Sequence, residues 1–282
     1  MSNTVQVDES QLVALGTCRW ERQQQLVSTG TKPTSSKSPK PVMIPRFMDA
    51  FWRKRRQYII YIVLSIVTIG LTALLVPSSS AYFHPYFGKT HPVLVVVLAS
   101  VIGVICLWLL RTRGKFEILR GRATLRGIGV SAGMASVLAV AIIIADFFIR
   151  YPEDTNVPVP EALLFYPAVG FVAEIAFHVL PLALLLLILA PLSKKLGLNS
   201  HIWPAWLAIA VAAVSEPTFQ IVLPGNPFSL ASAYTWAHVF AIAFLQLYVF
   251  KRYDFISMYS FRLIYYAYWH VAWGVIRLEV LF

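Results

Sequence analysis

Seven apolar stretches dominate the chain, each long enough to cross the hydrocarbon core of a bilayer, which takes about 17–25 helical residues. They are drawn at 58–76, 92–110, 128–149, 163–189, 203–222, 231–250 and 258–280. Backbone amides and carbonyls in lipid have no water to bond, so segments of this length span as helices. The predicted fold class is therefore all-α, a polytopic membrane helical bundle of about seven transmembrane helices. Composition agrees, because 58% of the 282 residues are hydrophobic and only 13% are charged. A soluble domain carries about twice that charged share.

Residues 1–50 read differently. Ser, Thr, Gln, Lys and Pro crowd the stretch TGTKPTSSKSPKP, which cannot bury enough apolar surface to offset its ordering entropy. No apolar signal-peptide core precedes Phe51. The expected organisation is a disordered cytoplasmic tail over 1–50 with a basic juxtamembrane end, three transmembrane helices over 51–150, and a four-helix unit over 151–282. Cys18 falls in the tail and Cys106 in a span, so no disulfide framework is expected.

The net charge of +11 follows topology rather than nucleic acid, which is not an expected partner. Basic residues crowd 52-WRKRRQ-57, the connection after the second span (Arg111, Arg113, Lys115, Arg120, Arg122, Arg126), Lys194–Lys195 and Lys251–Arg252. These are alternate connections, all on one side of the membrane. The others are poor in base, and 150–162 carries Glu153, Asp154 and Glu161. The positive-inside rule then places the N-terminus in the cytoplasm and the C-terminus outside.

Ionisable groups inside a span cost about 2.5 kcal/mol or more each and call for a partner or a function. The spans hold Asp146, Glu174, His178, Glu216, His238, Arg262 and His270. Counting from the outer span ends, Glu174 lies about eleven residues in, Glu216 about six, His238 about seven and His270 about ten. Four helices thus place proton-binding groups within roughly 8 Å of one level. His178 shares a helix face with Glu174, because i and i+4 are neighbours. Two carboxylates with imidazoles have the donor set for a divalent metal such as zinc, or for a water-activating base. Arg262 is expected near the inner end, snorkelling, and Asp146 near water at the outer end. The bland reading of any single one of these groups is a satisfied interhelical hydrogen bond. His238, within 234-YTWAH-238, also fits an interfacial aromatic belt. The stretch 129-GVSAG-133 is expected to be a helix-packing face.

The motifs resemble those of the CAAX-protease and bacteriocin-processing (CPBP) intramembrane proteases. That family carries Glu-Glu-x-x-x-Arg on one helix, Phe-x-x-x-His on a second and His-x-x-x-Asn or Asp on a last. Here 173-AEIAFH-178 keeps the second glutamate as Glu174, and 248-YVFKRYDFISMYSFRLIYYAYWHVAWG-274 resembles the family's last helices with His270 at the motif histidine. Ala173 replaces the first glutamate, His178 the arginine and Gly274 the Asn or Asp. The second motif falls by pattern at His238 and by spacing at Glu216, in 212-AAVSEPTFQ-220; spacing is the preferred placement.

The resemblance implies a divergent intramembrane protease whose catalytic set, and any metal set, is Glu174, His178, Glu216 and His270, with His238 nearby. Its substrate would be a membrane-embedded or lipidated peptide, in contact with the bilayer. The alternative, motivated by Ala173 and Gly274, is a non-catalytic relative acting as a membrane scaffold or binding protein. A third reading takes the histidines as haem ligands or as part of a proton relay.

Overall fold

A computed structural model describes residues 44–196, 202–224 and 229–282, with side chains from 55 in the first helix and from 203 in the fifth. The predicted tail lies outside the described residues over 1–43, and its last residues open the first helix. The helices are α1 (Ile44–Ser79), α2 (Pro92–Gly114), α3 (Arg122–Ile149), α4 (Ala162–Lys195), α5 (Trp203–Val222), α6 (Leu230–Arg252) and α7 (255–280). Six of these segments are long and apolar enough to cross a membrane, and α7 is the more polar seventh. Among the described residues there is no strand. The chain is an all-helical, multi-pass membrane protein.

The last helix lies inside the bundle, packed by α3, α4 and α6. Its contact with α3 follows from a stripe of small residues at four-residue spacing, because small side chains let helices approach closely in lipid. Gly127, Ser131, Ala135 and Ala139 are all buried. A Cβ on Gly127 would collide with Ser257 Oγ and come within 2.8 Å of Tyr253 Cβ, and Ser131 Oγ donates to the Ser257 carbonyl at 2.8 Å. The expected packing face at 129–133 is corrected by this register. A Cβ added to Gly129 or Gly133 would meet nothing within 4 Å, and the contact runs two residues earlier on the next face.

The N-terminal end of α7 is fixed by Asp254. Its carboxylate accepts the Ser257 amide at 2.9 Å and the Ser257 hydroxyl at 2.7 Å, an N-cap. Its second oxygen accepts the Arg120 amide at 2.9 Å and the Thr124 hydroxyl. Phe255 and Ile256 amides reach the carbonyls of Glu117 and Ile118 at 3.0 and 3.3 Å. The α2–α3 connection is thereby tied to the α6–α7 turn.

Three helices are interrupted by π turns: Glu174–Val179 in α4, Thr218–Val222 in α5 and Ala267–Ala272 in α7. Such turns insert one extra residue and occur often at functional sites. In α4 the cause is local. Pro181 has no amide to donate to the Phe177 carbonyl, and Ser215 Oγ of α5 stands 2.7 Å from that oxygen and 2.7 Å from the Ala212 carbonyl. Ser215 and Glu216 lie just before the π turn of α5, so the π turn of α4 is tied to the residues that lead into that of α5, and Glu174 and Glu216 are both buried there.

Candidate functional site

Glu174 and His178, on the π turn of α4, meet Glu216 of α5 in the centre of the bundle. His178 Nδ1 lies 2.7 Å from Glu174 Oε2, and its Nε2 faces Glu216 Oε2 at 3.4 Å, within ion-pair range but without hydrogen-bond geometry. Glu174 and His178 have no exposed surface and Glu216 is 2% exposed. The fold thus brings together the i, i+4 pair and the glutamate placed by spacing.

The cation between the two carboxylates is Arg262. Its Nε donates to Glu174 Oε1 at 2.6 Å, while Nη1 and Nη2 donate to Glu216 Oε1 and Oε2, each at 2.8 Å. The Glu216 contact is the bidentate fork that a planar guanidinium makes with a carboxylate. Arg262 is 3% exposed, so the expected snorkelling at the inner end is corrected: the side chain turns into the bundle because two buried carboxylates require a positive charge.

Neutral groups complete the cluster. Gln246 of α6 donates through Nε2 to Glu174 Oε1 and accepts Arg262 Nη2 at 3.2 Å. Gln220 donates to Glu216 Oε1 at 3.1 Å, and Tyr266 OH accepts Arg262 Nη1 at 3.0 Å.

His270 and His238 are not part of this cluster. His270 lies on the π turn of α7, its Nδ1 2.7 Å from Asn156 Oδ1 of the α3–α4 connection, its ring stacked on Tyr166 at 4.5 Å and against the edge of Tyr266 at 4.9 Å. Tyr266 connects it to Arg262. His238 Nε2 meets Tyr265 OH at 3.1 Å, with Tyr234 stacked on its ring at 5.7 Å. Two turns further along α6, Gln246 occupies the place in the cluster that the motif pattern gives to His238. Both rings are thus directed at protein partners outside the ion-paired core.

The donor set does not fit a metal at Glu174, His178, Glu216 and His270. Among the described residues no group of three or more His, Cys, Asp and Glu side chains is arranged to hold one. Three of the four carboxylate oxygens accept from Arg262, and the fourth, Glu174 Oε2, meets His178. The guanidinium itself stands where a cation bridging the two acids would be held.

Asp146 is likewise corrected. It has no exposed surface and pairs with Arg277, whose Nε and Nη2 donate to it at 2.8 and 3.1 Å. Sequence reasoning sets Arg262 apart from the cluster and misses Gln246, Asn156 and Arg277. The spacing of Arg262, Tyr266, His270 and Gly274, each four apart on one helix face, is the signal that could have joined the first of these to the site.

Comparison of the chain with protein-family profiles, with curated proteins and with solved structures gives no match.

Proposed function

We propose that this chain is a CPBP-like intramembrane protein that binds a membrane-embedded or lipidated segment without hydrolysing it. One observation carries the reading: Arg262 forks onto Glu216 and also holds Glu174, so neither carboxylate is free to take a proton from water. Ala173, at the position where the resembled family keeps its first glutamate, is 8% exposed and adds no acid.

A groove of about 660 Å³, lined by Ala176, Phe177, Val211, Val214, Thr218 and Phe219, lies between α4 and α5. Phe177 and Ser215 on it are sequence neighbours of His178 and Glu216, so the groove adjoins the residues of the polar core. An apolar chain lying there would touch the segments that position the acids.

Hydrolysis is the second reading, favoured by the convergence of Glu174, His178 and Glu216 from two helices. It requires Arg262 to release one carboxylate. Both are tested with protein reconstituted in lipid and fluorogenic peptides bearing either a lipidated cysteine or an apolar span. The binding reading expects no turnover above background and, with a photoreactive phenylalanine analogue at position 219, a cross-link to the peptide that unlabelled peptide displaces. Turnover lost in Glu216→Ala would establish the peptidase reading, and absence of a cross-link would remove the binding one.

A cytoplasmic N-terminus and an external C-terminus belong to the same proposal. Arg120 Nη1 donates to the Arg252 carbonyl at 3.1 Å and Lys251 Nζ to the Gly114 carbonyl at 3.1 Å, so the two basic connections share one end of the bundle. In protein with Cys18 and Cys106 changed to Ser, a membrane-impermeant maleimide on intact cells is expected to label Phe282→Cys and not Arg113→Cys. The reverse labelling would invert the orientation.

A further inference from the structure

Gly274 and Asn156 occupy one place. A Cβ on Gly274 would come within 3.1 Å of Asn156 Cβ and 3.2 Å of its Cγ and Nδ2, so the side chain missing from α7 at this position is replaced in space by one from the α3–α4 connection. The distance from Asn156 Oδ1 to His270 Nδ1 is 2.7 Å. Position 274 is four residues past His270, on the same helix face, and is where a side chain of α7 itself would otherwise reach the ring.

The backbone on both sides of Asn156 is held in place. The Val157 amide donates to Tyr166 OH at 2.8 Å, and Tyr166 is the ring stacked on His270. On the other flank Arg277 donates to the carbonyls of Tyr151 at 2.5 Å and Pro152 at 2.9 Å. A ring nitrogen bonded to a fixed carbonyl acceptor carries the proton, and the other nitrogen is left as the acceptor.

We propose that Asn156 is the positioning residue of His270, holding the proton on Nδ1 so that Nε2 is an acceptor for an N–H or O–H donor, and that Gly274 exists to admit it. The acceptor stands on the π turn of α7 and is linked to the ion-paired acids through Tyr266. The proposal is independent of whether the core binds or hydrolyses, because it concerns the ring's tautomer alone.

The test is nitrogen NMR of ¹⁵N-histidine-labelled protein in detergent, with the His270 signals assigned by their loss in His270→Gln. The native protein is expected to show the Nδ1–H tautomer. Asn156→Ala is expected to shift the tautomer ratio about tenfold toward Nε2–H, the worth of one buried hydrogen bond. Asn156→Asp, which keeps an acceptor, retains the Nδ1–H form. Gly274→Asn alone is expected to lower the melting temperature, because the two side chains collide; combined with Asn156→Gly, which removes the Cβ it meets, it restores both melting temperature and tautomer. A native Nε2–H ring, or an Asn156→Ala ring unchanged in a folded protein, would overturn the assignment. If Asn156→Ala does not fold, an Nε2–H ring in Asn156→Asp overturns it equally.

Discussion

Replacing Arg262 by methionine is expected to destabilise the protein by about 3–5 kcal/mol, the usual result of removing one partner from a buried ion pair. The effect belongs at the upper end of that range, because one guanidinium serves two acids. Without it, Glu216 keeps only Gln220 and the distant Nε2 of His178, and Glu174 keeps Gln246 and His178. In a detergent melt this corresponds to a fall on the order of 10 °C. Neutralising the acids as well, in Arg262→Met with Glu174→Gln and Glu216→Gln, is expected to recover most of the loss, since an uncharged cluster has no unpaired charge to bury. A single variant that melts with the native protein would show that the guanidinium is not the counter-charge of this core.

The same cluster shows how far the residues themselves could be read. Apolar length determined the class of fold because it depends on composition summed over about twenty positions, and no tertiary detail alters it. The pair Glu174 and His178 was legible because helical spacing alone puts them on one face. Glu216 was reachable by counting from span ends, since α4 and α5 are neighbours and their polar positions fall at similar depth. Arg262 was not, because depth was counted to its Cα, and its long side chain carries the charge well away from that point. Gln246 carries no charge and gave no signal against an apolar helix. His270 sat at the right level but faces Asn156, and level says nothing about azimuth around a helix. The π turns compound the problem, since each adds a residue and rotates everything beyond it. The packing stripe of α3 was missed for a related reason. The glycines at 129 and 133 matched a motif, whereas the register that α7 selects is the one containing Ser131 and Gly127.

The second large effect lies where the C-terminal ends of α3 and α7 meet. Asp146 accepts from Arg277 twice, from Trp273 Nε1 at 2.8 Å and from the Tyr151 amide at 2.9 Å. Arg277 also donates to the Tyr151 and Pro152 carbonyls. One ion pair therefore closes α3 against α7 and holds the chain through Arg150, a non-glycine residue at φ 53°, a conformation that costs about 1–2 kcal/mol. Arg277→Met is expected to cost about 3–5 kcal/mol by leaving Asp146 buried without its charge partner. It is also expected to make residues 150–161 more susceptible to added protease, because the two carbonyls lose their donor. The double variant Asp146→Leu with Arg277→Met separates the two roles. It is expected to regain much of the global stability, since no lone charge remains, yet to keep the protease sensitivity, since the carbonyls are still unserved. Recovery of both together would mean that the ion pair acts only through charge. Loss of both in the double variant would mean that the arginine's bonds to the loop carry the stability.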